Sequence, residues 1–303
     1  MAIVELLQAS PGFLIAVCVV LGMLVGSFLN VVVYRLPIMM QRDWYQQCCE
    51  FLELDEKSKP PIAADAKVEF DTFNLAKPES HCPFCKHQIQ PWENIPVISY
   101  LFLGGKCSSC KEKISLRYPS VEFVSGVLSG LVASGFGATW LTLALLFLTW
   151  SLIALTLIDY DHQLLPDDIT IPLLWLGLLV NTLNLGLGVS TTDAVIGAIG
   201  GYLSLWSFYW LFKLVTGKEG MGYGDFKLLS ALGAWMGWQS LLPIIILSSL
   251  VGAVFGVTMI ILKGRDKSAP MPFGPFLAGA GFIMLIWGPQ LSEFYLSTMT
   301  SGL

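Results

Sequence analysis

Hydrophobic residues are grouped along this chain into long uninterrupted runs, separated by short loops and by one long polar stretch. The first run covers residues 13–33, and the polar stretch follows from Arg35 to about Pro119. Further apolar runs lie at 121–138, 140–158, 169–188, 194–212, 228–241, 243–262 and 273–291. A helix that crosses a bilayer needs about 20 apolar residues. The pattern therefore predicts an all-α polytopic membrane protein with about eight transmembrane helices and one small polar insert.

The segment 228–262 allows two interpretations, one long helix or a tight hairpin that turns at Trp238–Pro243. Basic residues favour the hairpin. Eleven of the 17 Lys and Arg residues lie between Arg35 and Arg117, and the other six are Lys213, Lys218, Lys227, Lys263, Arg265 and Lys267. With eight spans all 17 lie on one side of the membrane, which the positive-inside rule identifies as the cytoplasm. Both termini are then expected on the opposite side.

Composition narrows the classes of protein further. Hydrophobic residues make up 54% of the chain and charged residues 13%, whereas soluble proteins carry about 25% charged residues. A soluble enzyme is excluded, and the net charge of −5 offers no basic surface for nucleic acid. The first run is too long for a signal peptide and no basic residue precedes it. Small residues inside the spans predict close helix packing; they are Gly22, Gly26, Ser27, Gly197, Gly200, Gly201, Gly252 and Gly256.

The polar stretch carries two Cys-x-x-Cys pairs, Cys82 with Cys85 and Cys107 with Cys110, and 21 residues separate the pairs. Each pair offers two thiolates from one turn, so the spacing predicts a tetrahedral zinc site with four cysteine ligands. Such a site leaves no open position for substrate, which indicates a structural role. The alternatives are two disulfides or four free thiols, and the expected cytoplasmic placement argues against disulfides.

Acidic residues concentrate at two predicted membrane edges. One group contains Asp159, Asp161, Asp167 and Asp168, and the other contains Asp225 behind a glycine-rich segment. Two spans separate the groups, so the chain returns to the same face. Two carboxylates brought together from separate helices can share a proton and perform aspartic protease chemistry. The alternative is that these acidic residues only cap helix N-termini, Asp225 one helix and Asp167 or Asp168 another.

Several segments together resemble the bacterial type IV prepilin peptidases, which belong to the GxGD class of membrane aspartic proteases. They read GSFLNVVVYRLP, CPFC with PWENIP, GGKCSSC with SLRYPSVE, IDYDHQLLPD, KEGMGYGDFKLL and PFGPFLAG, and they extend from residue 26 to about 279. The resemblance implies that Asp159 and Asp225 are the catalytic pair. It also implies that the four-cysteine insert takes part in methyl transfer from S-adenosylmethionine. Gly104 and Gly105 are the candidate binding residues for this cofactor, because a Gly-Gly pair allows close backbone approach to a ligand. The alternative is that the pair only forms an ordinary turn.

The implied activity has two steps. The enzyme cuts the leader from type IV prepilins and type II secretion pseudopilins after a glycine, and it then methylates the new N-terminal amine. The implied location is the bacterial inner membrane, in contact with lipid, with the active site on the cytoplasmic side. The predicted domains are a first transmembrane helix at 1–34, the zinc insert at 35–120 and a membrane peptidase domain at 121–303.

The residues alone also allow two other functional interpretations. One is a transporter that uses Asp159 and Asp225 as a proton or cation relay, and the other is a zinc-binding scaffold that only docks partners. The transporter is less consistent with the pattern, because both acidic residues lie at the membrane edge and the two halves show no repeat.

Overall fold

The computed structural model describes residues 2–53, 73–263 and 271–300, which are predominantly helical and contain no β-strand. The α-helices are α1 (Ala2–Ala9), α2 (Pro11–Phe51), α3 (Ile98–Phe102), α4 (Arg117–Phe136), α5 (Trp140–His162), α6 (Asp167–Thr182), α7 (Thr191–Thr216), α8 (Tyr223–Met236), α9 (Leu241–Lys263) and α10 (Gly274–Thr300). Short 3₁₀ helices cover Pro91–Asn94 and Trp238–Ser240. The predicted all-α fold is confirmed.

Each of the eight apolar runs lies largely within one of these helices. Six of the helices, α2, α4, α5, α7, α9 and α10, are long and apolar enough to cross a membrane. The other two, α6 and α8, have only 16 and 14 residues. Helix α8 packs against α6, α7 and α10, and its Leu228, Leu229, Ala231 and Leu232 are fully buried. A short helix that is apolar on all sides is typical of the interior of a helical bundle.

Helix α2 does not end where the first apolar run ends, at residue 33. Helix α2 continues through Pro37 to Phe51, although an internal proline removes a backbone hydrogen bond and usually breaks a helix. Tertiary contacts stabilise the continuation. The buried Arg35 guanidinium donates to the carbonyl oxygens of Asn74 at 3.0 Å and Pro78 at 2.6 Å. The guanidinium of Arg42 lies 4.8 Å from the centre of the Phe73 ring.

The hairpin predicted between 228 and 262 is confirmed. Helix α8 ends at Met236, Gly237 adopts a positive φ of 78°, and α9 begins at Leu241 after one 3₁₀ turn. Two basic residues on which the sidedness argument depended, Arg265 and Lys267, lie outside the described residues.

Glycines bring α7 and α8 into backbone contact, as the small-residue pattern predicted. A Cβ atom on Gly197 would collide with the carbonyl oxygen of Gly233, and a Cβ atom on Gly201 would lie 2.6 Å from the carbonyl oxygen of Leu229. The buried Ser230 hydroxyl on α8 donates to the carbonyl oxygen of Ala198 on α7 at 2.6 Å. This packing fixes α8, which carries Asp225 in its first turn.

The Cα positions divide the chain into two compact units. One is Cys18–Leu128, which holds the four-cysteine insert, and the other is Met1–Val17 with Ser129–Leu303, which holds both candidate aspartates. The domain boundaries at 34 and 120 remain a prediction.

Candidate active site and metal centre

Asp159 lies in the last turn of α5 and is 5% exposed. Its Oδ2 accepts a hydrogen bond of 2.9 Å from the backbone N–H of Gly274, the first residue of α10. The N-terminal end of a helix carries partial positive charge and unpaired N–H groups, so it stabilises a carboxylate placed there. The start of α10 therefore holds the Asp159 carboxylate.

Glycine is required at position 274 for this contact. A Cβ atom there would lie 2.6 Å from Asp159 Oδ2 and 3.1 Å from Cδ2 of Leu165. The sequence predictions did not single out Gly274. Its signal was the glycine between Phe273 and Pro275 at the start of the last apolar run, within the segment PFGPFLAG.

Asp225 occupies the first turn of α8 and is 6% exposed. Its Oδ2 accepts from the backbone N–H of Gly222 at 3.3 Å. Gly222 is the N-cap residue of α8 and Asp225 is its third helical residue, so the alternative that Asp225 is the N-cap residue is wrong. The Oδ1 atom of Asp225 is buried and has no hydrogen-bond partner within the described part of the chain. An unpaired buried oxygen costs about 1–3 kcal/mol, so capping alone does not account for this carboxylate.

Leu165 lies against a neighbour of each aspartate, Gly224 next to Asp225 and Gly274 next to Asp159. A Cβ atom on Gly224, next to Asp225, would lie 2.7 Å from Cβ of Leu165. Leu165 also lies against Gly274, whose amide binds Asp159. The structure thus brings together the two aspartates that the sequence placed 66 residues apart.

The neighbouring acidic residues are in different surroundings. Asp161, Asp167 and Asp168 are all exposed. Both carboxylate oxygens of Asp167 accept from the Lys227 ammonium, at 2.6 and 2.7 Å, which ties the start of α6 to α8. Pro166 occupies the N-cap position of α6. The alternative that Asp167 or Asp168 is the N-cap residue is therefore wrong, and Asp159 is the one buried aspartate of this segment.

The four cysteine sulfurs of the insert lie within 4.8 Å of one another. Sγ of Cys82 is 3.8 Å from that of Cys110, and Sγ of Cys85 is 3.9 Å from that of Cys107. Zinc–sulfur bonds of about 2.3 Å in a tetrahedron place the sulfurs roughly 3.8 Å apart. The cluster therefore fits zinc, and all four cysteines are free of disulfides.

Each Cys-x-x-Cys pair forms the same backbone turn. The N–H of Cys82 donates to the carbonyl oxygen of His87 at 2.9 Å, and in the second pair Cys107 donates to Glu112 at 2.8 Å. The residue after each pair has a positive φ, 60° at Lys86 and 61° at Lys111. Antiparallel bridges close both turns, His81 with Gln88 and Lys106 with Lys113. The two halves of the metal centre are thus built alike.

Glu93 joins the two halves, and the sequence predictions missed it. Its Oε2 accepts from the Gln90 amide at 2.9 Å and lies 3.2 Å from Nε2 of His87. The side chain of Ser108, from the second pair, also hydrogen-bonds to Glu93, and this contact contributes most to the lowered pKa of Glu93. His87 therefore pairs with Glu93 and lies outside the group of four cysteine sulfurs.

Gly104 and Gly105 both have positive φ, 61° and 69°. The carbonyl of Gly105 accepts from the N–H of Ile114 at 2.8 Å, and its own N–H donates to the carbonyl of Tyr100 at 2.9 Å. A Cβ atom on Gly105 would lie 2.7 Å from the Tyr100 hydroxyl. The turn of the second cysteine pair is therefore sufficient to require glycine at 105, and binding of a methyl donor at these residues stays a prediction.

A buried carboxylate in the same unit was also missed. Glu122 of α4 is 8% exposed. Its Oε2 accepts from the N–H of Val97 at 2.8 Å, and it also hydrogen-bonds to Ser27. Val97 has a φ of 59°, which is strained for a β-branched residue. Gly26 allows the approach, because its Cβ would lie 2.8 Å from Cα of Glu122. The signal in the sequence was one acidic residue inside an apolar run.

Comparison with known proteins agrees with these two centres. Residues 20–136 match the bacterial peptidase A24 N-terminal domain, and residues 146–257 match the type IV leader peptidase family. The chain belongs to this peptidase family. It is similar to proteins named prepilin leader peptidase/N-methyltransferase, and the matches cover 92–98% of both chains in the three examples that follow. The identity is 57% with the protein of Stutzerimonas stutzeri, 55% with that of Pseudomonas aeruginosa and 51% with that of Neisseria gonorrhoeae. No solved structure matched the chain.

Proposed function

We propose that this chain is a bifunctional membrane enzyme that removes the leader peptide of type IV prepilins and type II secretion pseudopilins and then methylates the new N-terminus. The named relatives match along nearly the whole chain, so the similarity supports both the peptidase and the methyltransferase activity. The observation that carries the peptidase assignment is the pair of buried aspartates, Asp159 and Asp225, at the ends of separate helices.

The two aspartates are proposed to divide the work of peptide hydrolysis. Two carboxylates brought together in one site can share one proton. The ionised one takes a proton from water, whose oxygen attacks the scissile carbonyl, while the protonated one donates its proton to the carbonyl oxygen. The tetrahedral intermediate then breaks at the C–N bond, and the leaving amine takes up a proton. The unpaired Oδ1 of Asp225 is available to hydrogen-bond to water or to the carbonyl.

The second activity is proposed to depend on the insert. Cys82, Cys85, Cys107 and Cys110 would hold zinc in a closed tetrahedral site, which supplies rigidity and no open coordination position. S-adenosylmethionine is the proposed methyl donor, and it would supply an electrophilic methyl group to the free amine. Glu93 stabilises the fold around the metal by hydrogen-bonding to side chains from both cysteine pairs.

The enzyme is proposed to lie in the bacterial inner membrane with both centres facing the cytoplasm. The six long apolar helices support a multi-pass protein, and the positive-inside rule supports this orientation. The positions of the two aspartates do not favour a transporter, because Asp159 lies in the last turn of α5 and Asp225 in the first turn of α8. Neither carboxylate is at the middle of a span, where transporter sites lie.

Mass spectrometry of a product N-terminus tests both activities together. Purified protein, a prepilin and S-adenosylmethionine should yield a shortened chain that carries one added methyl group. Asp159→Asn and Asp225→Asn should each reduce cleavage by about 10²–10⁴-fold, because an amide cannot act as the base or hold the shared proton. Asp161→Asn is the matched control and should cleave normally. Cleavage by Asp225→Asn at the wild-type rate would refute the aspartic mechanism.

A further inference from the structure

The four-cysteine insert contains an uncharged segment at residues 94–105, which reads NIPVISYLFLGG and includes helix α3. Two side chains of this helix are mostly exposed, Leu101 at 72% and Phe102 at 87%. Ile95 and Ile98 of the same segment are about half exposed. Proteins rarely present several large apolar side chains together to water, so such a surface marks a contact with another molecule or with the membrane.

Helices α2 and α4 run antiparallel, and their contacts show which residues lie at the same level. Gly26 of α2 packs against α4, since a Cβ atom there would lie 2.8 Å from Cα of Glu122. One turn further along α2, the Asn30 side chain donates to the carbonyl oxygen of Tyr118 at 3.2 Å. Glu122 therefore lies level with Gly26, and Tyr118 lies level with Asn30.

Hydrogen bonds attach the uncharged segment to these two helices well before the first apolar run ends. The Ser27 hydroxyl on α2 donates to Oδ1 of Asn94 at 3.3 Å, and Oε2 of Glu122 accepts from the N–H of Val97 at 2.8 Å. Ser27 lies six positions before residue 33, the last residue of the run, which is about 9 Å along a helix. The run 13–33 is itself about 30 Å long, which equals the thickness of the hydrocarbon core. Both attachment points are therefore inside the end of the run.

We infer that residues 94–105 enter the bilayer and that Leu101 and Phe102 contact the lipid acyl chains of the leaflet on the insert's side. Backbone N–H groups are costly to place in hydrocarbon unless they have a partner. The N–H of Leu101 donates to the carbonyl oxygen of Val97, and the N–H of Val97 donates to Glu122. The inference thus accounts for a buried carboxylate within an apolar run, because Glu122 pairs a backbone amide of the embedded segment.

The residues that flank the segment match a membrane interface. Trp92 shortly precedes it and is 67% exposed, and Lys106 follows it directly. Tryptophan and basic side chains are enriched where a chain passes from hydrocarbon to the headgroup layer. Lipid is the occupant because the exposed side chains lie at a depth where lipid surrounds the protein. The segment therefore anchors the four-cysteine insert to the bilayer surface.

Fluorescence quenching in lipid nanodiscs tests the depth of the segment. A fluorescent amino acid replaces Phe102 in the full-length protein, and the reference for a lipid-facing site is Leu250, which is 61% exposed in the long apolar helix α9. Phe84 is the matched control, an aromatic residue of the same insert that is 71% exposed between Cys82 and Cys85. Brominated acyl chains should quench the probe at 102 about as strongly as that at 250, and several-fold more strongly than that at 84. Iodide in the water should quench in the reverse order.

A crosslinking measurement identifies what covers the helix. p-Benzoylphenylalanine in place of Phe102, irradiated in native membranes, should form adducts with phospholipid that mass spectrometry detects. Leu101 carries either probe if the variant at 102 does not keep the wild-type denaturation midpoint. Iodide quenching at 102 equal to that at 84 would overturn the inference. Crosslinks to a second copy of the chain or to another protein, in place of lipid, would also overturn it.

Discussion

The hydrogen bond from Gly274 to Asp159 allows the peptidase site to be tested by adding one methyl group at position 274. In Gly274→Ala the new Cβ would lie 2.6 Å from Asp159 Oδ2. Ordinary van der Waals contact begins near 3.4 Å, so the carboxylate or the start of α10 must move by about 0.8 Å. The same Cβ would lie 3.1 Å from Leu165 Cδ2, and this contact resists movement toward Leu165. A displacement of about 1 Å in a catalytic group costs roughly 10²-fold in rate.

The assay is cleavage of a purified prepilin, measured as kcat and KM. Gly274→Ala should lower kcat about 10²-fold with a smaller change in KM, because the substituted residue positions the carboxylate. Methylation of a pre-cleaved pilin and the zinc content should stay at wild-type levels. Gly279→Ala is the matched control on the same helix, since a Cβ there meets no atom within 4 Å. Cleavage by Gly274→Ala at the wild-type rate would refute the role assigned to this contact.

Three further outcomes are expected. Elemental analysis should find about one zinc per chain, falling sharply in Cys82→Ser and Cys110→Ser; unchanged zinc in both would disprove the four-cysteine site. Glu122→Leu should lower the thermal denaturation midpoint in detergent, because it leaves the Val97 amide unpaired at a cost of about 1–3 kcal/mol, whereas Glu122→Gln keeps an acceptor and should lose less. A cysteine at position 265 should resist a membrane-impermeant thiol reagent added to intact cells, and efficient labelling would contradict the predicted orientation.

The helices and the metal centre were predictable because their signals are local. Apolar runs mark each membrane helix, and the paired cysteine spacing places four thiolates together. The continuation of α2 beyond the first apolar run was not predictable, because the carbonyl groups that bind Arg35 lie about 40 residues away. No local pattern encodes such a partner.

The candidate site likewise contains residues that local sequence patterns predict and residues that they do not. Asp225 is preceded by three glycines and begins a helix, which is a pattern that sequence reasoning detects. The choice of Asp159 over Asp161 depended on the family resemblance, because burial of one and exposure of the other follow from packing. The roles of Gly274 and Glu122 were missed because each contact joins residues that are far apart in the chain, 115 positions in the case of Asp159 and Gly274.

The two aspartates lie at opposite ends of their own helices. Asp225 lies in the first turn of α8, where the helix dipole favours a negative charge, and it accepts a hydrogen bond from the start of the same helix. Asp159 lies in the last turn of α5, where the dipole of its own helix opposes a negative charge. The amide at the start of α10 offsets this cost. Because Gly274 lies 115 positions after Asp159, the Asp159 half of the site is complete only when α10 has packed against α5.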